Sequence, residues 1–265
     1  MAVTDGRTKA PLGGQTKKYA SSYHSYKKSS FSISDGQIRR TAIKIMGKDE
    51  LVLLDFWVSP FCMRVKIALA EKGLTFESRP EDLFNGKSDL LLKSNPIYTK
   101  VPVLLHNDKP VVESSIIVSY VDETWASPAL LPPCAYGKAQ ARFWADYIDK
   151  KVFDAGSNIW KSKGEELEAA NKEFLQIVKT LENELGDKAY FGGESFGYVD
   201  IILIGLVSWF DAYERFGTFK LEDESPKFAA WAKKCLLRES VAKAIPEADK
   251  VYEFIVMMRK MHGIE

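Results

Sequence analysis

Leu51-Val52-Leu53-Leu54-Asp55-Phe56-Trp57-Val58-Ser59-Pro60-Phe61-Cys62-Met63-Arg64-Val65-Lys66-Ile67-Ala68-Leu69-Ala70-Glu71-Lys72-Gly73 holds a strand and a helix with one sharp joint between them. Residues 51–57 are almost continuously apolar, as a strand covered on both faces requires. Val65, Ala68, Leu69 and Lys72 then recur at helical spacing, and Gly73 supplies a stop. Pro60 suits the first helical position, which leaves Ser59 at the N-cap with its hydroxyl at the positive end of the helix. A serine there has two uses: it caps a backbone amide, which is the commoner one, or it meets an anion such as a thiolate.

Working outward, residues 74–78 can return as a parallel strand, completing a right-handed βαβ unit. A short helix near residues 88–94 precedes Val101-Pro102. Beyond it, Val103–His106 and residues 110–112 read as a hairpin around Asn107-Asp108. Ser114–Thr124 follows as a helix. The order β-α-β-α-β-β-α predicts an α/β domain of thioredoxin-like fold over residues 49–126. Ser127-Pro128 and Pro132-Pro133 mark a linker, and residues 135–265 read as an all-α domain. In it Phe143, Trp144, Tyr147, Ile148 and Val152 form one apolar stripe, and further helices are expected over 165–185, 200–216, 226–235 and 241–261.

The 265 residues, 46% of them apolar, suffice for a sizeable core. A formal charge of +1 conceals an asymmetry. Residues 1–48 carry ten Lys/Arg against Asp5 and Asp35, so the remainder is acidic, near −7. Such a surface offers no clustered basic face for nucleic acid or anionic membrane. No apolar run reaches the roughly 18–20 residues that span a bilayer. Cys62, Cys134 and Cys235 are odd in number and widely spaced, and His24, His106 and His262 form no ligand cluster with them. Neither a disulfide framework nor a metal site is expected.

Residues 1–48 are rich in Ser, Tyr, Lys and Gly and lack apolar periodicity, so a disordered basic leader is expected. The composition has features of an organellar transit peptide but no amphipathic Arg helix, which favours the cytoplasm over an organelle. Met46 stands directly before the first strand and is read as the start of the native protein.

The stretch from Trp57 to Gly73 resembles plant tau-class glutathione transferases. The likeness continues through Asn95-Pro96, Lys100-Val101-Pro102-Val103-Leu104, Glu113-Ser114, Lys161-Ser162-Lys163-Gly164-Glu165-Glu166, Tyr190-Phe191-Gly192-Gly193, Lys227-Phe228-Ala229-Ala230-Trp231 and Glu239-Ser240-Val241-Ala242-Lys243. It therefore spans about residue 49 to the C-terminus.

The resemblance implies a catalytic Ser59 that donates a hydrogen bond to glutathione sulfur. It also implies a cis Pro102 whose predecessor Val101 pairs with the peptide as a short strand. Lys87 and Lys100 would hold the glycyl carboxylate, Glu113 the γ-glutamyl ammonium and Ser114 its carboxylate. Phe61, Phe153, Ser157, Trp160, Trp209 and Met258 match family positions that line a hydrophobic substrate site. Phe153 stands where relatives often carry Tyr, and Ser157 where some carry Arg. Asn95 is expected to brace its loop, and Asp200 to serve structure, with Gly197 where Ser or Thr usually caps.

The implied reaction joins glutathione, a co-substrate needing no metal, to hydrophobic electrophiles in xenobiotic detoxification, with hydroperoxide reduction as a side activity. A cytosolic homodimer is implied as well. A non-catalytic carrier of hydrophobic molecules (a ligandin) is the alternative. A thiol reductase using Cys62 is disfavoured, because Ser59 occupies the place of its nucleophile.

Overall fold

The computed structural model describes residues 49–264, and the expectations for residues 1–48, including a start at Met46, lie outside them. A four-stranded mixed sheet of order β2-β1-β3-β4 comes first. Its strands are β1 (Leu51–Asp55), β2 (Glu77–Pro80), β3 (Val103–His106) and β4 (Lys109–Val112). β1 pairs in parallel with β2, Val52 opposite Glu77, and antiparallel with β3, Leu53 opposite Leu104.

All five residues of β1 are buried because both faces are covered. Leu51 and Leu53 join the main core with Val65, Leu69 and Ile117, from helices α1 (Pro60–Glu71) and α3 (Ser114–Thr124). Val52 and Leu54 join Leu91 of α2 (Asp89–Ser94) on the other face. The alternation of period two thus explains the unbroken apolar run.

Gly73, at φ +65, lets the chain leave α1: Leu74 N–H donates to Leu69 O at 2.9 Å and Gly73 N–H to Ala70 O at 2.9 Å. The turn between β3 and β4 has Asn107 at φ 50 and Asp108 at φ 63, the paired left-handed conformation of a tight hairpin. β2 begins three residues later than expected. Its side chains are all exposed, so apolar patterning gives it no signal, and Pro80 ends an edge strand where a missing N–H is tolerated.

The rest is helical: α4 (Ala135–Lys161), α5 (Gly164–Leu185), α6 (Tyr198–Val207), α7 (Phe210–Gly217), α8 (Leu221–Glu224), α9 (Pro226–Leu236), α10 (Glu239–Ala242) and α11 (Ala248–Met261). Three expectations need correction. Within the predicted stripe of α4, Ile148 and Val152 are buried, but Phe143 is 56% exposed. The helix expected over 200–216 breaks at Ser208-Trp209, where Trp209 N–H bonds Leu206 O at 3.0 Å in a tightened turn. The helix expected over 241–261 is two helices separated by Pro246, which lacks the N–H a continuous helix needs.

α6 is buried from Tyr198 to Leu206 and crosses α1 closely. A Cβ on Gly205 would stand 2.6 Å from Pro60 O and 2.9 Å from Arg64 Cγ, so only glycine permits this approach. The helical part therefore abuts the first turn of α1, next to Ser59. Buried Asp122 secures the linker between the two parts, accepting from Lys72 Nζ at 2.6 Å, Leu130 N–H at 2.7 Å and Leu131 N–H at 3.0 Å. Asp200 takes Phe191 N–H at 3.0 Å, Gly197 N–H at 3.0 Å and Trp231 Nε1–H at 2.8 Å. Gly197 has no side chain to return the cap. Asp200's three donors make it a buried structural acceptor, with burial pushing its carboxyl above the usual range.

Candidate functional site

Ser59 sits where β1 hands over to α1, at φ −68 and ψ 115, with Pro60 as the first helical residue. Its Oγ accepts from Cys62 N–H at 3.3 Å, so it caps the helix as one of the two readings requires. Capping does not exhaust it: a hydroxyl that accepts on one lone pair keeps its O–H as a donor, beside the positive helix end. Ser59 is half-buried, whereas Cys62 has no exposure. Burial pushes the Cys62 thiol up to about 12, and the Asp55 carboxylate adds to the shift. A thiol so protonated is a poor nucleophile, which removes the physical basis for a Cys62 reductase.

The Val101–Pro102 peptide is cis and leads directly into β3. Asn95 is buried and braces the approach: its Nδ2 donates to Lys100 O at 3.0 Å, and its Oδ1 accepts from Tyr98 N–H at 3.3 Å. Lys87 Nζ reaches Thr99 Oγ1 at 3.0 Å, so the two lysine-bearing segments meet. Both lysines are exposed. Glu81, which the sequence reading missed, holds the Lys87 loop by accepting from Ser88 Oγ at 2.7 Å and Ser88 N–H at 3.1 Å.

Glu113 is exposed and adopts φ 68, and Ser114, buried, begins α3. Ser114 Oγ accepts from Arg64 Nη1 at 3.1 Å. Arg64 is fully buried, its Nε donating to Ile202 O at 2.7 Å and its Nη1 to Asp149 Oδ1 at 2.5 Å. Burial pushes its guanidinium down, and Asp149 opposes this. A cation is thereby fixed behind Ser114, at a helix start suited to a carboxylate. Arg64 was missed in the sequence, where an arginine between Met63 and Val65 on the apolar side of α1 is its one signal; its partner, 85 residues away, carries none.

On the helical side, Phe61 and Phe153 rings stand 5.0 Å apart, and Phe153 and Trp209 5.9 Å. Trp209 continues to Phe254 of α11 at 6.2 Å. Phe254 also meets Phe56 at 6.0 Å, Trp57 at 5.8 Å and Phe84 at 6.1 Å. This aromatic chain links the strand-to-helix joint to α11, and Phe254 is a member that nothing in its amphipathic helix marked out. Met258 is half-buried one turn further along α11. Ser157 and Trp160 are set into the helical core at 2% and 5% exposure, and among the described residues no ring contact joins Trp160 to that chain. A recess of about 510 Å³ between Leu130, Trp144, Phe191 and Tyr198 contains none of the expected site residues. Among the described residues, no group of His, Cys, Asp or Glu is placed to hold a metal ion.

Comparison with known proteins adds a family assignment. The profile "Glutathione S-transferase, N-terminal domain" matches residues 49–123 and "Glutathione S-transferase, C-terminal domain" residues 164–234. The chain is 58% identical over 222 residues to a probable glutathione S-transferase, parC, of Nicotiana tabacum, covering 83% of this chain and 100% of that protein. It is 59% identical over 213 residues to glutathione S-transferase U19 of Arabidopsis thaliana, covering 80% and 97%. Among solved structures, rice GST1 (OsGSTU1) in complex with glutathione superposes with a TM-score of 0.79 at 50% identity, covering 81% of this chain and 98% of that one. The Tau class glutathione S-transferase MiGSTU from mango, Mangifera indica, gives 0.75 at 39%, covering 78% and 98%.

Proposed function

The chain belongs to the tau class of the glutathione S-transferase family, an enzyme family that conjugates glutathione, and we propose that in it Ser59 activates the thiol. The observation that carries this reading is the placement of the Ser59 hydroxyl at the first turn of α1, with Cys62 buried and protonated three residues on. Bound glutathione places its sulfur against Ser59 Oγ–H, which donates to it while the helix end adds partial positive charge. The thiol proton leaves to solvent. A free thiol near ~8.5 is only a few per cent ionised at neutral pH, and two units of depression, about 2.7 kcal/mol, make the thiolate predominant.

The rest of the peptide is held by the proposed set. Val101 offers its backbone to the cysteinyl unit, Lys87 and Lys100 the glycyl carboxylate contacts, and Glu113 and Ser114 the two ends of the γ-glutamyl group. The Arg64 cation behind Ser114 supports a carboxylate there. Residues 49–126 thus take glutathione, and the electrophile lies along Phe61 of that part and Phe153 and Trp209 of residues 135–265, with Ser157, Trp160 and Met258 completing the proposed lining. The thiolate forms a carbon–sulfur bond by conjugate addition, or by aromatic substitution with loss of halide. Phe153 is apolar where, by the resemblance, relatives often carry Tyr, and Ser157 is small where some carry Arg; both favour uncharged electrophiles.

Xenobiotic detoxification is the role this chemistry fits. Hydroperoxide reduction follows from the same thiolate: it attacks the peroxide oxygen, releasing alcohol and leaving a glutathione sulfenic acid, which a second glutathione converts to disulfide and water. The protein acts in the cytoplasm as a homodimer. Exposed Ile97, Ile116 and Phe143 support an apolar contact with a second copy, and no helix of the described residues is long and apolar enough to cross a membrane.

The test is conjugation of glutathione to a chromogenic aryl halide across pH, with Ser59→Ala alongside. Loss of turnover with retained glutathione binding is expected. Glutathione binding without turnover in the parent protein, unchanged by the substitution, identifies a carrier.

A further inference from the structure

Resting on the reading of Ser59 just given, we infer that Trp209 is a positioning residue for that serine rather than only a wall of the electrophile site. The indole is 7% exposed, and its Nε1–H donates to Val58 O at 2.9 Å, across 151 residues of sequence. Val58 O belongs to the peptide group that carries Ser59. The other end of that peptide, Ser59 N–H, donates to Phe56 O at 2.9 Å. Both polar ends of one peptide plane are therefore held, one from within the joint and one from the helical domain. That plane fixes the N–Cα bond of Ser59, and the next plane is held by Ser59 O accepting from Cys62 N–H at 3.1 Å and Met63 N–H at 3.2 Å; together they set the φ of Ser59 and the direction of its Cα–Cβ bond, the base from which Oγ–H points.

Trp209 is suited to the task by its own setting. It lies at the break between α6 and α7, where its N–H bonds Leu206 O at 3.0 Å and its carbonyl accepts from Tyr213 N–H at 3.2 Å, so its backbone is anchored on both sides. Its ring touches Phe153 at 5.9 Å and Phe254 at 6.2 Å, the two aromatics nearest it in the chain leading to the electrophile. A single side chain thus joins the electrophile wall to the carbonyl preceding the catalytic hydroxyl. Without the donor, Val58 O is left buried and unpaired, and the peptide is free to tilt toward other partners.

The test compares the full-length parent, Trp209→Phe, and a protein carrying 3-benzothienylalanine at position 209, an isostere that keeps the indole shape and lacks its N–H. The pKa of bound glutathione thiol is read from the ultraviolet thiolate band, and kcat and KM for an aryl halide are measured in parallel. Loss of one such bond predicts a rise of about half to one unit in the bound-thiol pKa and a roughly three- to tenfold fall in kcat/KM at neutral pH. The electrophile KM should change less than about twofold in the isostere, which preserves the wall. An unshifted thiol pKa in the isostere, or a raised electrophile KM as its only change, overturns the inference. Failure of the parent to form thiolate on binding glutathione refutes the role of Ser59 itself, and this inference with it. Thiolate in the parent with no shift in either variant refutes the role of Trp209 alone.

Discussion

Asp149→Ala should destabilise the protein more than Arg64→Met, although the two residues share one ion pair. Arg64 has no exposure and Asp149 is 31% exposed. Removing the carboxylate strands a buried cation with only Ile202 O and Ser114 Oγ as acceptors. Breaking a buried pair in this way costs roughly 3–5 kcal/mol, and solvent access beside Asp149 places this case near the lower end, about 3 kcal/mol. Removing the guanidinium instead leaves a carboxylate that water can reach, a buried carbonyl and a hydroxyl; the cost there is about 1–2 kcal/mol. For a folded unit of this size each kcal/mol shifts Tm by about 2–4 °C, so Asp149→Ala should lose about 6–12 °C. The double variant should recover part of that loss, because it no longer buries an unpaired charge. Urea unfolding of the four proteins at constant m, checked by calorimetry, gives the cycle directly. Equal losses in the two single variants, or strict additivity in the double, would show that the burial asymmetry does not govern this pair.

Other consequences can be measured independently. Brief treatment with iodoacetamide under native conditions should modify exposed Cys134 and spare buried Cys62 and Cys235, as mass spectrometry of the intact protein would show; rapid alkylation of Cys62 would refute its assignment as an inert core thiol. Gly205→Ala forces a Cβ against Pro60 O and should cost about 1–3 kcal/mol and lower kcat, since α1 must shift at its first turn; unchanged Tm and turnover would refute the close crossing. Asp200→Ala should lower stability, with a pH dependence of definite sign. The folded carboxyl titrates above its ordinary 3.8, so its contribution is fully present below that value and is lost as pH rises through the raised pKa. The stability gap between parent and variant should therefore widen on acidification from about pH 7 to 4 in urea melts, and a gap that narrows contradicts the sign.

Elements whose burial is governed by local pattern could be read from sequence. The unbroken apolar run of β1, the Ser59-Pro60 start of α1, the Asn107-Asp108 turn and α3 over Ser114–Thr124 all carry signals within a few residues. Where geometry depends on distant partners the reading stopped. The break at Ser208-Trp209 contains no proline or glycine, and the bond from Trp209 to Val58 O connects segments that nothing in the sequence pairs. Phe143 has the spacing of a core residue and is exposed, because helical periodicity defines a stripe without fixing its width.

The candidate site divides in the same way. Ser59, Val101-Pro102 and Glu113-Ser114 stand at element boundaries and could be picked out there. Arg64 was passed over, although a charge on the apolar side of α1 is a local signal. Asp149, Glu81 and Phe254, which anchor or enclose the expected residues, emerge only when the elements are packed together.

Ultraviolet titration of glutathione bound to the parent protein and to Ser59→Ala would read the thiol's ionisation without the intervening steps of turnover. A thiolate band appearing with a pKa well below that of free glutathione, and displaced upward by one unit or more in Ser59→Ala, is the predicted result. An identical pKa in both proteins, each binding glutathione, would contradict thiol activation by Ser59.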